Sequence, residues 1–327
     1  MPDGEPAVEV DGLSKRFGDV EAVRGIEFTV RPGEVFGFLG PNGAGKSTTI
    51  NMLCTLLRPS GGRALVAGHD VVRERDAVRR NIGLVFQDTT LDGYLSGEQN
   101  LRFHAELYGV PRQAVGERMR QVLEMVGLWD RRGDLVQTYS GGMKRRLEIA
   151  RGLLHSPRVL FLDEPTVGLD PQTRASIWDY IRQLKDAEEI TIFMTTHYMD
   201  EAEFCERIAI MDSGTIVALD TPESLKAGIG EDRVRIRTSD DDAAIAALEE
   251  RFGLAAVVSE GAVTFSVAAG EAFVPRLFAE LGVPIRSVNV SRPSLDDVFM
   301  SFTGTTIRDA EAGAGDRNRL TMRAMRR

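Results

Sequence analysis

The chain has 327 residues, 43% of them hydrophobic and 27% charged, with a formal net charge of −9. That size and balance fit a globular protein with one large domain and a small one, and the acidic charge argues against broad nucleic-acid binding. No run approaches the roughly 20 apolar residues a membrane helix needs, the polar start Met1-Pro2-Asp3-Gly4-Glu5-Pro6 is not a secretory signal, and Cys54 and Cys205 lack metal-binding or paired spacing.

Residues 7–13 and 26–30 alternate apolar and polar side chains as strands do. Arg31-Pro32-Gly33-Glu34 reads as a turn, and Val35-Phe36-Gly37-Phe38-Leu39 as a buried strand. Gly40-Pro41-Asn42-Gly43-Ala44-Gly45-Lys46-Ser47 follows and fits the phosphate-loop pattern G-x-x-x-x-G-K-[ST]. A helix is expected over 46–57, so the motif stands between strand and helix, as its chemistry requires. Its glycines let successive N–H groups point inward at phosphate oxygens, and the helix start adds partial positive charge. Lys46 can reach the β- and γ-phosphates, and the Ser47 hydroxyl can ligate Mg²⁺. Lysine is scarce in this chain, with five among 40 basic residues, which sets Lys46 apart.

Residues 63–86 read as strand-like segments ending in Ile82–Phe86. Helical periodicity returns at 98–108 and 114–126, broken by Gly109-Val110-Pro111. Ser140-Gly141-Gly142 then precedes a basic amphipathic helix over 143–154; this is an anion site if it opens the helix, and a linker otherwise. Strands are expected at 158–162 and 190–195, with helices at 172–187 and 200–206. Strands separated by helices imply a largely parallel α/β sheet. Composition shifts near Thr221-Pro222. Beyond it a strand at 233–238, helix at 242–252, strands at 255–259 and 262–267, helix at 270–281, strand at 285–290 and helix at 294–302 suggest a small α+β domain. The Arg-, Ala- and Gly-rich residues 305–327 have the composition of a disordered tail.

Val159–Leu162 ends in Asp163-Glu164, two carboxylates where a parallel strand meets the ligand crevice. Asp163 can hold Mg²⁺, and Glu164 can act as general base toward the attacking water. His197 closes the run Ile190–Thr196 at the same kind of strand end. Gln87 follows Ile82–Phe86. His69, His104 and His155 lack such placement and read as structural.

These residues together resemble an ATP-binding cassette (ABC) subunit over about residues 7–220. Gly40–Thr48 is similar to the Walker A segment, Tyr139-Ser140-Gly141-Gly142-Met143 to the signature, Val159–Glu164 to Walker B, and Val167-Gly168-Leu169-Asp170 to the D-loop. Gln87 resembles the Q-loop glutamine, His197 the switch histidine, and Phe17 the aromatic that stacks on adenine. Tyr139 and Met143 depart from the usual Leu and Gln, and Phe17 from the commoner tyrosine. The resemblance implies an α/β P-loop cassette over 1–220, with a parallel-rich core, antiparallel strands and a helical subdomain at about 88–155, then an α+β domain over 221–304.

It further implies that ATP is held by Phe17, Gly40, Asn42, Gly43, Ala44, Gly45, Lys46, Ser47 and Thr48 in one copy, and by Ser140, Gly141, Gly142 and Asp170 in the other. Glu164, His197, Lys46 and Gln87 are the implied catalytic residues, and Ser47, Gln87 and Asp163 the implied Mg²⁺ ligands. One Walker A and one signature per chain imply a second copy of itself. With no membrane helix in the chain, transport requires separate membrane-spanning permease chains, two in the usual arrangement, holding it at the cytoplasmic face of the cell membrane. Pro293-Ser294-Leu295-Asp296-Asp297-Val298-Phe299 and Thr303-Gly304 resemble the end of the daunorubicin-resistance group, whose members export drugs, antibiotics or lipids. The alternatives are an importer subunit and a soluble ABC ATPase acting on a macromolecule. No nucleic-acid partner is expected.

Overall fold

A computed structural model describes residues 5–188, 190–259 and 261–303; the predicted disordered tail lies outside the described residues. The chain divides into two compact units, one ending at Leu219 and the next beginning at Asp220.

The first unit opens with an antiparallel sheet of β1 (Val8–Phe17), β2 (Val20–Val30), β4 (Gly61–Val66) and β5 (His69–Asp70), in the order β2-β1-β4-β5. The buried positions of β1 and β2 alternate with exposed ones, so each strand turns one face inward. The second sheet holds β3 (Val35–Leu39), β6 (Ile82–Val85), β7 (Val159–Asp163), β8 (Thr191–Thr196), β9 (Arg207–Asp212) and β10 (Thr215–Asp220). Its order is β10-β9-β3-β8-β7-β6, and the four pairings from β9 through β3, β8 and β7 to β6 are parallel. Every residue of β3, β7 and β8 is buried, the pattern of strands covered on both faces.

One core joins the two sheets. Phe28 of β2 stacks on Phe36 of β3 at 5.6 Å, and Phe193 of β8 lies 5.3 Å from both Phe38 and Phe161. Helix α1 (Lys46–Leu53) adds Ile50, Met52 and Leu53 to the same cluster. Burying each such ring is worth about 1.5–3 kcal/mol. This packing fixes the strand ends from which the site is built.

Helix α2 (Arg75–Asn81) lies where the sequence pattern suggests only strand-like segments. Val78 is its one buried residue, so it carries almost no periodic signal. Helix α1 stops at Leu53, short of the expected 57. The expected break at 109–111 does separate α3 (Gly97–Leu107) from α4 (Arg112–Met125). A capping box opens α3: Ser96 Oγ accepts from Gln99 N, and the Gln99 side chain accepts from Ser96 N. Helix α5 (Gly141–Leu153) starts two residues earlier than its periodicity suggests. Helix α6 (Pro171–Glu188) precedes β8, and α7 (Met199–Ala202) is shorter than the expected 200–206. Cys54 and Cys205 are free and buried.

The second unit has helices α8 (Pro222–Ile229), α9 (Asp241–Phe252), α10 (Gly270–Glu280) and α11 (Leu295–Thr303). Its strands β11 (Asp232–Thr238), β12 (Ala256–Ser259), β13 (Ala262–Val267) and β14 (Ile285–Ser291) form an antiparallel sheet ordered β12-β13-β11-β14. Val234, Ile236 and Phe265 from the sheet bury against Leu248 of α9 and Leu277 of α10. Helix α8 begins at a Thr221 cap with Pro222 in the first turn, at the composition shift. No helix among the described residues is long and apolar enough to cross a membrane.

Candidate functional site: a nucleotide cassette

The parallel register aligns the candidate residues. Leu39 pairs with Thr196 and Thr195 with Asp163, so β3, β8 and β7 end side by side. The glycine loop leaves β3, His197 leaves β8 and Glu164 leaves β7 at one edge of the sheet. Val85 pairs with Leu162, which brings the exit of β6, and with it Gln87, to the same edge. Strand C-termini in such sheets bound the ligand crevice.

Two glycines of the loop from Gly40 to Gly45 leave no room for a side chain. A Cβ on Gly40 would come 2.2 Å from Met211 O, and one on Gly45 2.6 Å from Ala22 O. Gly43 and Gly45 also take φ of 85° and 108°, a region that favours glycine. Such a cradle of backbone N–H groups at a helix start fits a polyphosphate. Asn42 and Gly43 are exposed at its lip; Ala44 is buried, and Ser47 and Thr48 are half-buried.

Lys46 is buried at 4% exposure, and its Nζ donates to Gly40 O at 2.7 Å and Pro41 O at 3.1 Å. It lies 3.5 Å from Glu164 Oε1. The same oxygen lies 3.4 Å from His197 Nδ1, a buried nitrogen with no hydrogen-bond partner among the described residues. Burial alone would raise the Glu164 carboxyl, but the neighbouring His197 and Lys46 outweigh it and hold the carboxyl below its ordinary value. The backbone of Glu164 takes a left-handed φ of 46°, and its N–H donates to Thr195 Oγ1 at 3.0 Å. Thr195 Oγ1 in turn donates to Asp163 Oδ1 at 2.6 Å, and Ser47 Oγ donates to the same oxygen at 3.2 Å. Burial raises the Asp163 carboxyl despite these two bonds. The Ser47 hydroxyl and Asp163 carboxylate thus converge as hard oxygen donors, a pair that suits Mg²⁺ completed by phosphate oxygens and water.

The remaining predicted residues are largely exposed. Ser140 caps α5, accepting from Met143 N at 3.3 Å, and Ser140 and Gly141 are exposed. Asp170 is exposed and accepts from Thr173 N at 3.0 Å and Thr173 Oγ1 at 2.6 Å. A Cβ on Gly142 would come 2.4 Å from Thr173 Cγ2 of α6 and one on Gly141 3.4 Å from Leu169 Cδ2, so the signature packs against the D-loop and the helix that follows it. Gln87 is exposed in the loop after β6. Phe17, 49% exposed, ends β1 with Lys15 Nζ 4.9 Å over its ring. Tyr139, where leucine is usual, is buried and donates to Arg131 O at 2.7 Å.

Several residues escape sequence reasoning. Thr195 is one, a hydroxyl inside a fully buried strand. Glu201, at 1% exposure, accepts from Thr196 Oγ1 at 2.7 Å and from Thr166 Oγ1, joining the D-loop flank to the strand that carries His197. Arg174 lies 4.0 Å over the Tyr198 ring, which is tilted against the His197 ring with centroids 4.1 Å apart. Arg145 and Glu148 of α5 are buried as a pair, although their helix reads as basic and amphipathic. Their signal is an Arg-x-x-Glu step among apolar residues. His104 and His155 pack with Tyr108 between α3 and the end of α5, and burial pulls the His104 imidazole down to about 3.

A phosphate cradle at the end of a parallel strand, beside a lysine, two carboxylates and a histidine, defines a P-loop ATPase cassette. Residues 23–167 match the family model described as ABC transporter, and residues 221–303 the one described as ATP-binding protein DrrA1-3-like, C-terminal domain. The chain is 42% identical over 320 residues to the daunorubicin resistance ATP-binding protein DrrA3 of Streptomyces coeruleorubidus, covering 94% of this chain and 99% of that one. Among solved structures it is similar to cbiO1 of Clostridium perfringens, part of the transporter complex cbiONQ, with TM-score 0.64 and 28% identity over 76% of this chain and 96% of that one. It is also similar to the cassette MJ0796, solved as a dimer in a post-hydrolysis state with ADP and Pi, with TM-score 0.59 and 26% identity over 65% and 98% of the two chains. The chain belongs to the ATP-binding proteins of ABC transporters, in the daunorubicin-resistance group. It binds ATP and is an ATPase.

Proposed function

We propose that this chain powers efflux of drugs, antibiotics or lipids by hydrolysing ATP as a pair of copies on a separate membrane permease. The observation that carries the catalytic part is the convergence of Lys46 and His197 on one oxygen of Glu164. That carboxylate stays ionised at neutral pH and can take the proton of an attacking water. Lys46 and the N–H groups of Gly43 to Thr48 bind the phosphates of ATP; Phe17 offers its face to the adenine. Ser47 and Asp163 would hold Mg²⁺, with Gln87 joining from the β6 loop, and the ion would neutralise charge on the β- and γ-phosphates. His197 keeps Glu164 oriented from the neighbouring strand.

The exposed Ser140 and Gly141, with Asp170 beside them, point to a second copy. They form an anion site at a helix start that faces outward, and ATP held by one chain would bridge to it in the other. Binding then closes the pair and loss of the γ-phosphate opens it. The MJ0796 dimer supports pairing, and the cbiONQ complex supports a partner in the membrane. The chain would lie at the cytoplasmic face through two permease chains. Export of drugs or antibiotics is supported by the name of the 42% identical relative. The small unit would steady the pair, and truncation after Gly230 that left ATP-driven pairing intact would refute that role.

The test is co-expression with candidate multi-helix permeases, detergent extraction, and assay of the complex. A stable complex with ATPase activity is the expected result. A chain that hydrolyses ATP yet stays free of every candidate permease would overturn the transporter role.

A further inference from the structure

Arg145 sits one turn into α5, which begins at the signature glycines, and the residue is 6% exposed. A guanidinium has five donor hydrogens, and here it meets five acceptors. Nε donates to Pro165 O at 2.6 Å. Nη1 donates to Phe86 O and to Glu148 Oε2 at 3.2 Å. Nη2 donates to Asp163 O and Glu164 O, both at 3.1 Å. The other Glu148 oxygen accepts from Thr90 N at 2.8 Å. One buried ion pair therefore grips the backbone at the end of β7 and on both sides of Gln87.

We propose that Arg145 is the positioning residue through which the signature helix of each copy sets the backbone of its own Glu164 and Gln87. The proposal rests on the paired-copy function above. In that pair, Ser140-Gly141-Gly142 of one chain serves the nucleotide of the other, while Glu164 and Gln87 serve their own. Arg145 then links the two sites within one chain: engagement of the helix start on the partner's nucleotide moves the carbonyls that orient the chain's own general base. The consequence is cooperative turnover. A lysine cannot replace the fork, since its three donors leave from one point.

The test uses the full-length chain in steady-state ATP hydrolysis, with a fluorescent ATP analogue to measure binding. Arg145→Lys is expected to lower kcat about 100-fold through misplaced groups, to leave analogue affinity nearly unchanged, and to abolish cooperativity in ATP. The doubly neutral Arg145→Gln/Glu148→Gln variant removes the buried charges together, so that neither is left unpaired, and is expected to show the same kcat loss. Wild-type kcat and cooperativity in either variant would overturn the proposal. So would losses of kcat and affinity that fall in step with melting temperature, because those mark general destabilisation. Ser140→Arg is measured beside them: retained turnover in that variant overturns the paired-copy function itself, whereas its loss together with normal Arg145 variants overturns only the link.

Discussion

The two halves of the site differ in how they are finished. The half at the ends of β3, β7 and β8 is closed on itself: Lys46, Asp163 and Glu164 are buried and each polar head has a partner in the same chain. The half formed by Ser140, Gly141 and Asp170 is exposed, and among the described residues its hydroxyl and carboxylate hold only the first turns of their own helices. A buried, mutually compensated cluster is built to act where it stands. An exposed anion site at a helix start is built to receive something from outside.

The largest expected effect breaks the first half without touching the second. Glu164→Gln removes the general base and is expected to slow turnover about 1,000-fold, while ATP still binds and holds the pair closed. Size-exclusion chromatography with ATP checks this, and a monomer at saturating ATP would contradict it. Lys46→Ala takes a charge from the phosphates and is expected to abolish ATP binding, measured with the fluorescent analogue. Ser140→Arg breaks the second half alone: binding to the monomer should persist while ATP-driven pairing and turnover disappear.

A smaller effect concerns pH. Glu164 must be ionised to act, and its carboxyl lies below its ordinary value in the folded protein. Its stabilising contribution is therefore present above the unfolded value and lost as pH falls through the folded one. The acid limb of the kcat profile should lie below the usual glutamate range. His197→Ala removes a neighbour that holds the carboxyl down, so the limb should move to higher pH; an unmoved limb would show that His197 does not set the ionisation of Glu164. The smallest effect is at the adenine: Phe17→Ala is expected to weaken ATP binding by about 1–3 kcal/mol, the worth of one aromatic stack.

How much of this was legible in the sequence follows from where each signal lies. Lys46, Glu164 and His197 could be placed because each follows a short apolar strand, and a parallel sheet brings such strand ends together. The break at Gly109-Val110-Pro111 was readable from local chemistry alone. Helix α2 was not, since only Val78 of its seven residues is buried. Strands β9 and β10 went unread as well; Ile208, Ala209, Ile210 and Met211 are buried without alternation. Arg145 shows the deeper limit. On a helical wheel it is one charge among four basic residues, and its burial follows from carbonyls 86 and 163–165, which meet only after folding.

The left-handed backbone of Glu164 matters for any search for sturdier variants. A non-glycine residue at φ 46° carries strain that glycine does not. Glu164→Gly would relax the backbone, but it would leave the buried Lys46 without its carboxylate, a loss that outweighs the strain. The ion pair that serves hydrolysis also holds the strained residue in place, so a heat-hardened form of this ATPase has to gain its stability elsewhere in the fold.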